Sequence, residues 1–289
     1  DLVAAAVGAA GIARLGLEAE SVTWAAQRTY AETWFPKLEL VPTTGLVAGL
    51  RLHKDDGEID RIAAACAIAD AALSEVRPLL AEGPTEVEFG LALDTAMRRL
   101  GADDVSFETI VASGPNGALP HHRPAHRTII EGDLVVIDFG ALVDGYHSDM
   151  TRTLRYGTVD PWLAEAYDAV EAAQAAGVAA VADGVAAVEV DRICRTLLTE
   201  LGLGEFFTHG TGHGVGLLIH ESPWVRQVGS DVLRDRDVVT VEPGVYRGDL
   251  GGIRIEDTVV VTADGCRALT PTPKDLSCLR SPRTTSRPE

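Results

Sequence analysis

Apolar residues follow two different spacings along the 289-residue chain. Four segments repeat apolar residues at i, i+3, i+4 and i+7, which predicts the buried face of a helix. These segments are residues 58–80, 83–103, 161–184 and 186–203. Four other segments are rich in β-branched residues, and they either alternate apolar with polar residues or stay apolar throughout. This pattern predicts strands. They are residues 105–114, 133–157, 237–246 and 252–262.

Residues 1–50 differ from the rest of the chain. Residues 21–34 predict a helix, and residues 37–51 predict a strand followed by a loop. The segment is too short to form a domain alone, so we expect the C-terminal end of an N-terminal domain and a linker. A catalytic domain is predicted over residues 51–274. Residues 275–289, which are rich in proline and basic residues, predict a disordered tail.

The order of two helices followed by strands occurs twice and indicates an internal repeat. Three short matches carry it: 83–101 with 184–202, 133–140 with 237–244, and 149–151 with 256–258. They align Asp138 with Glu242 and Asp149 with Glu256. A duplicated α+β domain with pseudo-two-fold symmetry would bring these four acids to one site. A chance match is the alternative, because the matched stretches are short.

Two of the aligned acids end apolar segments that are expected to be buried, where an ionised carboxylate is unfavourable. Asp138 ends the apolar run LVVID and Glu242 ends VVTVE, and a buried carboxylate needs a partner or a bound cation. One such acid alone would be read as a turn or capping residue. Four acids at repeat-related positions favour a metal site instead. With His213, they make four oxygen donors and one imidazole, a set suited to Mn²⁺, Fe²⁺, Co²⁺ or Zn²⁺.

The stretch HGTGHGVGLLIHES, residues 209–222, holds three histidines among four glycines. A phosphate-binding glycine loop would need a following Lys-Ser/Thr or a downstream ribose acid, and neither is present. The chain also lacks G-x-S-x-G, which disfavours a serine hydrolase. The glycines are therefore expected to allow close backbone approach beside a metal or substrate. His121 and His122 precede the first acidic strand and are either surface residues or a second contribution to the site.

The composition of the chain limits the classes of partner and the compartment that we expect. The formal net charge of −18 argues against nucleic acid and anionic membrane surfaces. No apolar run approaches the roughly 20 residues of a membrane span, and the opening lacks the basic region of a signal peptide. Because the chain begins at Asp1 without a methionine, we expect a fragment or a processed form. The four widely spaced cysteines indicate reduced thiols in a cytoplasmic protein.

The motifs DFG…D, HGTGHGVGLLIHE, VEPGVY and GIRIEDT together resemble those of the M24 metallopeptidases, the creatinase/aminopeptidase family. This family includes methionine aminopeptidase, aminopeptidase P and prolidase. The resemblance covers about residues 50–270 and implies a duplicated "pita-bread" fold. It also implies two divalent metal ions, Mn²⁺ in the first place and Co²⁺ or Zn²⁺ as alternatives, and a homodimer.

The resemblance implies a role for each of the five ligand candidates. Asp138 would hold one metal, and His213 and Glu242 the other. Asp149 and Glu256 would bridge both. A hydroxide bridging the metals would attack the scissile carbonyl, with Glu242 as the proton shuttle.

The other polar residues take supporting roles by the same resemblance. His121 and His220 would bind the substrate and stabilise the tetrahedral intermediate. Arg254 would take part in substrate binding and orient the bridging carboxylates, and His209 would contact the proline side of the substrate.

Two details favour the proline-specific members of the family. HGTGHG, with His209 four residues before His213, is unlike the C-x-G-H-G usual in methionine aminopeptidase. Residues 50–62 are similar to the linker that joins the two domains of proline-specific enzymes. The predicted function is an Xaa-Pro aminopeptidase or Xaa-Pro dipeptidase acting on small peptides with proline second. The alternatives are methionine aminopeptidase and a catalytically inactive binding module on the same fold.

Overall fold

The computed structural model describes residues 2–274, and the chain divides into two compact units between Arg51 and Leu52. The N-terminal unit contains α1 (Leu2–Ala9), β1 (Arg14–Glu18), α2 (Trp24–Thr29) with a π-helical turn at Tyr30–Trp34, β2 (Glu39–Thr43) and all but the last residue of α3 (Leu46–Leu52). Strands β1 and β2 pair in parallel. The prediction of a loop after β2 is wrong, because residues 46–52 form α3. Leucine, alanine and arginine there favour a helix.

The second unit contains the remaining helices and strands. In chain order they are α4 (Asp56–Val76), α5 (Glu86–Arg99), β3 (Asp104–Val105), β4 (Ile110–Ser113), β5 (Leu134–Phe139), β6 (Ala141–Val143), β7 (Tyr146–His147), β8 (Met150–Arg155), α6 (Pro161–Ala180), α7 (Ala187–Glu200), β9 (Gly212–Gly214), β10 (Glu221–Val225), β11 (Val238–Val241), β12 (Gly244–Arg247), β13 (Gly251–Arg254), β14 (Asp257–Thr262) and β15 (Gly265–Ala268). Short 3-10 turns cover Arg77–Glu82, Gly114–Ala118 and Gly204–Phe206. The predicted disordered tail lies outside the described residues.

The second unit is built from two similar halves, which confirms the predicted repeat. Helices α5 and α7 both have 14 residues, and β8 and β14 both have six. Each pair is separated by the offset that the sequence match indicated. In the first half, α4 and α5 pack on the antiparallel sheet β4–β5–β8. In the second half, α6 and α7 pack on the sheet β10–β9–β11–β14–β15.

The two halves meet along β8 and β14. The backbone N–H of Glu256 donates to the Thr151 carbonyl at 3.2 Å. The Thr258 hydroxyl donates to the Asp149 carbonyl at 2.7 Å. These bonds hold the residues before β8 next to those before β14, so acids from both halves of the repeat face one another. No helix of residues 2–274 is long and apolar enough to cross a membrane.

Gly177 of α6 packs closely against both α7 and the second sheet. A Cβ atom there would lie 2.5 Å from Cys194 Sγ and 2.8 Å from Val241 Cγ1, and both neighbours are fully buried. Although alanine favours a helix, we expect Gly177→Ala to lower the free energy of unfolding by about 1–3 kcal/mol. Urea denaturation measures the change. Gly229→Ala, with open space around its Cβ position, is the control; equal losses in both variants would contradict this packing.

Candidate metal centre

The five predicted ligands lie on or beside strands of both halves. Asp138 is the next-to-last residue of β5, and His213 is the middle residue of β9. Asp149 and Glu256 immediately precede β8 and β14, and Glu242 follows β11. Strand ends place these side chains at the junction of the two sheets, where both copies of the repeat contribute.

The distances define a compact cluster. Ligand atoms of Asp149, His213 and Glu256 all lie within 4.8 Å of one another. His213 Nε2 is 3.2 Å from Glu242 Oε1 and 3.5 Å from Asp149 Oδ2. His213 Nδ1 lies 3.0 Å from the Gly214 carbonyl oxygen and donates to it, so Nε2 is the nitrogen that faces the acids. Asp138 adjoins this group and contacts Arg254, whose Nη2 is 2.6 Å from Asp138 Oδ2.

Two carboxylate oxygens of this cluster lack a hydrogen-bond partner among the described residues. Asp138 Oδ1 and Glu256 Oε1 are buried, and neither has a hydrogen-bond partner among residues 2–274. Buried polar atoms are nearly always paired, so an orphaned oxygen needs an explanation. Two orphans beside three mutually close ligand atoms fit a site for divalent metal ions, and oxygen donors with one imidazole suit such ions.

The pKa values of the four acids also indicate a site for cations. Burial and the negative charge of neighbouring acids raise the pKa values of Asp149 and Glu256 well above their ordinary range. Burial also raises the pKa of Asp138, although Arg254 opposes that change. Burial opposes ionisation of Glu242, but the hydrogen bond to His213 and the positive charges of His213, His209 and Arg254 together outweigh burial and lower the pKa of Glu242. Clustered acids that resist ionisation would be stabilised by bound cations.

These raised pKa values predict how the metal-free protein responds to pH. A carboxyl group with a raised pKa in the folded state stabilises the fold below its unfolded pKa of about 4, and that contribution is lost as pH rises through the folded pKa. Metal-free protein should therefore lose stability as the pH rises above about 4. The loss is roughly 1.4 kcal/mol for each tenfold difference between the acid dissociation constants of the unfolded and folded states. Thermal unfolding at several pH values in chelator measures it.

The double variant Asp149→Asn/Glu256→Gln is the control, because it removes the two acids whose pKa values are raised well above the ordinary range. Its stability should depend less on pH than that of the unsubstituted metal-free protein. Identical pH dependence of the two proteins would contradict this account of the acids.

Arg254 is the charged residue that organises the cluster. Its side chain is buried, Nε lies 3.0 Å from Thr151 Oγ1, and Nη1 lies 2.8 Å from the Tyr246 hydroxyl. The Thr151 hydroxyl in turn donates to Glu256 Oε2 at 2.7 Å. Arg254 therefore contacts Asp138 directly and reaches the predicted bridging acid Glu256 through Thr151. Each of its side-chain nitrogens is engaged with the protein.

Threonines that the sequence motifs did not single out support the acids. Thr240 Oγ1 lies 3.1 Å from Glu242 Oε1 and accepts from the backbone N–H of His213. Thr151 bonds Glu256, and Thr258 bonds the backbone of Asp149. A signal for two of them was present, because the repeat aligns D-M-T with E-D-T and so matches Thr151 to Thr258.

His121 and His220 lie at the exposed side of the cluster. The ring of His220 is 4.4 Å from that of His213, centroid to centroid. Burial, followed by the charges of His213 and His121, lowers the pKa of His220 although Glu242 opposes the change. The structure therefore brings His121 and His220 into the same region. His122 points elsewhere, with Nε2 at 2.8 Å from Glu86 Oε2.

His209 lies behind this region and is bonded at both nitrogens. Nδ1 is 2.7 Å from the Gly210 carbonyl oxygen, and Nε2 is 2.9 Å from the Tyr246 hydroxyl. Because a carbonyl only accepts, Nδ1 carries the proton and Nε2 accepts from Tyr246. Burial lowers the pKa of His209, which favours this neutral form.

The glycines beside His213 have a packing role. A Cβ atom on Gly212 would lie 2.0 Å from the Thr240 carbonyl oxygen, and one on Gly214 would lie 2.2 Å from the Ser222 carbonyl oxygen. Side chains at either position would separate β9 from its neighbours β11 and β10. The glycines thus allow the close backbone approach that carries His213 into the cluster.

The fold and the cluster of acids with one imidazole fit a metallopeptidase, and comparison with known proteins identifies the family. Residues 60–263 match the model of metallopeptidase family M24, and the chain belongs to this family. It is 43% identical to an Xaa-Pro dipeptidase of Pyrococcus furiosus, over 80% of this chain and 66% of the relative.

Solved structures extend the comparison. An Xaa-Pro dipeptidase from Bacillus anthracis superimposes with a TM-score of 0.92 at 42% identity, covering 95% of this chain and 77% of the other. An X-Pro aminopeptidase from Thermotoga maritima superimposes with a TM-score of 0.89 at 34% identity, covering 96% and 79%. The second unit thus has the pita-bread fold that the resemblance implied.

Proposed function

We propose that this chain is a metal-dependent exopeptidase that hydrolyses the bond between an N-terminal residue and a following proline. The observation that carries the proposal is the cluster of four acids and His213 from both halves of the repeat: Asp149, Glu256 and His213 are buried, Asp138 and Glu242 are partly buried, and two carboxylate oxygens lack partners among residues 2–274. The names of the similar proteins, Xaa-Pro dipeptidase and X-Pro aminopeptidase, support the proline specificity.

Two divalent ions, Mn²⁺ as the first choice, are proposed to occupy the cluster. Asp138 would hold one, His213 and Glu242 the other, and Asp149 and Glu256 would contact both. When bound, such ions polarise a carbonyl and lower the pKa of a bound water. The chain's part is to keep five ligands oriented. The bond from His213 Nδ1 to the Gly214 carbonyl and the bond from the Thr151 hydroxyl to Glu256 support this.

The remaining roles fall to residues at the exposed side. Glu242 would accept a proton and pass it to the leaving proline nitrogen, as general acid–base catalysis requires. His220 and His121 would donate hydrogen bonds to the substrate carbonyl oxygen as it gains negative charge. Since both nitrogens of His209 are already bonded, His209 would contact the proline through its ring.

The test of this function is hydrolysis of matched peptides by metal-loaded protein. Ala-Pro and Ala-Pro-Ala should be cleaved before proline, while Ala-Ala and Ala-Ala-Ala should be cleaved far more slowly. The ratio of the first two rates assigns a dipeptidase or an aminopeptidase. Preference for Met-Ala-Ala would instead indicate a methionine aminopeptidase, and cleavage of none of these peptides would contradict the proposal.

We further propose a division into domains, a compartment and an oligomeric state. Residues 1–50 would be the end of an N-terminal domain, and residues 51–274 the catalytic domain. The protein would act in the cytoplasm, which agrees with the buried free thiols of Cys66 and Cys194. It would form a homodimer, as the family resemblance implies.

A further inference from the structure

Several carboxylates outside the proposed metal site are buried, and Glu86 is one of them. Glu86, the first residue of α5, is 0% exposed. Its Oε1 accepts from the backbone N–H of Ser113 at 2.7 Å, from the Ser113 hydroxyl at 2.6 Å and from Asn116 Nδ2 at 3.0 Å. Its Oε2 accepts from Asn116 Nδ2 at 3.1 Å, His122 Nε2 at 2.8 Å and the backbone N–H of Ala125 at 3.0 Å. Each oxygen of the carboxylate thus accepts three hydrogen bonds, and neither oxygen lacks a partner.

All of these donors belong to one segment, residues 113–125, which begins at the end of β4 and leads towards β5. The same segment carries His121, one of the two histidines at the exposed side of the cluster. The start of α5 adds backbone bonds to this region, from Glu86 N–H to the Arg127 carbonyl and from Val87 N–H to the Ala125 carbonyl. Residues 119–127 form neither helix nor strand, and the Glu86 carboxylate bonds two of them, His122 and Ala125, while Arg254 Nη1 bonds the Pro120 carbonyl at 3.3 Å.

The surroundings of Glu86 favour the ionised form of its side chain. Burial opposes ionisation, but the hydrogen bonds from Ser113, Asn116 and His122 outweigh it and lower the pKa of Glu86. The first turn of a helix also favours a negative charge. A charged acceptor makes stronger hydrogen bonds than a neutral one, which suits it to holding several donors at once.

The second half of the repeat has a related arrangement. Asp191 of α7 is 1% exposed and accepts from the backbone N–H and the hydroxyl of Thr211 at 3.1 and 3.0 Å. It also pairs with Arg195, whose Nη2 donates to the His209 carbonyl at 2.7 Å. The repeat aligns Asp191 with Gly90, one helical turn after Glu86 and on the same helix face. In each half, a buried acid on the second helix therefore holds the segment that bears a substrate-side histidine.

We propose that Glu86 is a positioning residue that holds residues 113–125 in one conformation and so places His121 over the metal cluster. The part that concerns His121 in catalysis rests on the proposed function. The part that concerns the order of residues 113–125 does not.

Glu86→Gln is the sharpest variant, because either orientation of the amide sets an NH₂ group against donors of this segment. Glu88→Gln is the matched control: Glu88 lies two residues further along α5 and is exposed, in a capping box with Thr85. Hydrogen exchange followed by mass spectrometry should show residues 113–125 exchanging at least about tenfold faster in Glu86→Gln. Residues 209–222 should be unchanged, and Glu88→Gln should leave both regions as they are.

Kinetics test the second part. Glu86→Gln should lower kcat/KM for Ala-Pro or Ala-Pro-Ala by about 10- to 100-fold with unchanged metal content. If Glu86 acts through His121, the double variant Glu86→Gln/His121→Ala should be no slower than His121→Ala alone. Additive losses, or unchanged exchange of residues 113–125, would overturn the proposal. Should the unsubstituted protein cleave neither peptide, the proposed function fails, while the exchange experiment still decides whether Glu86 orders the segment.

Discussion

Glu242→Gln is expected to reduce kcat for cleavage before proline by about 10²- to 10⁴-fold, the usual contribution of a positioned acid–base group. The structure gives Glu242 a particular place among the acids. Its Oε1 contacts His213 and Thr240, yet its side chain is 17% exposed, against 6% for Asp149. Glu242 contacts the other proposed ligands and is also partly exposed to solvent. It can therefore exchange protons with a bound substrate.

The measurement is steady-state kinetics together with the bound metal per chain. Glu242 is also a proposed ligand, so the comparison is made at metal concentrations that saturate the variant. Glu165→Gln, at an exposed position of α6, is the control and should keep full activity. Turnover by Glu242→Gln equal to that of the control would show that the proton-transfer role is misplaced.

Asp149→Asn is expected to weaken metal binding by at least about 100-fold, since even residues that only orient ligands account for 10- to 100-fold. Asp149 is buried, lies 3.5 Å from His213, and would contact both ions. The amide keeps the shape of the side chain but loses the charge. Activity should fall with metal occupancy, measured by equilibrium dialysis and elemental analysis.

A second consequence separates this effect from misfolding. Without metal, Asp149 is a buried acid that neighbouring acids repel, so the metal-free Asn variant should be at least as stable as the metal-free parent at pH 8. Asp168→Asn, an exposed α6 residue, serves as the control. A variant that binds metal with the parent's affinity would contradict the assignment of Asp149.

Much of the fold was accessible from the sequence because the chain repeats itself. The spacing of 101 residues that aligned the two helices is the spacing of α5 and α7 in the structure. Hydrophobic periodicity is a local property, so the helices and most strands could be predicted from it. The match also placed Asp149 opposite Glu256, and the structure brings them into one cluster.

Contacts between distant residues could not be predicted in this way. Lys54 Nζ lies 2.9 Å from Glu221 Oε1, 167 residues away, and both side chains are largely buried. Glu86 and His122 form another such pair. Sequence spacing also could not separate His121 from His122, because which neighbour faces the cluster depends on how residues 113–125 are held.

Metal reconstitution decides whether the clustered acids and His213 form a metal centre that cleaves before proline. Protein stripped with chelator should not cleave Ala-Pro or Ala-Pro-Ala, and activity should return in proportion to the Mn²⁺, Co²⁺ or Zn²⁺ that it binds, up to two ions per chain. Full activity in the stripped protein, or bound metal that restores none, would contradict the account.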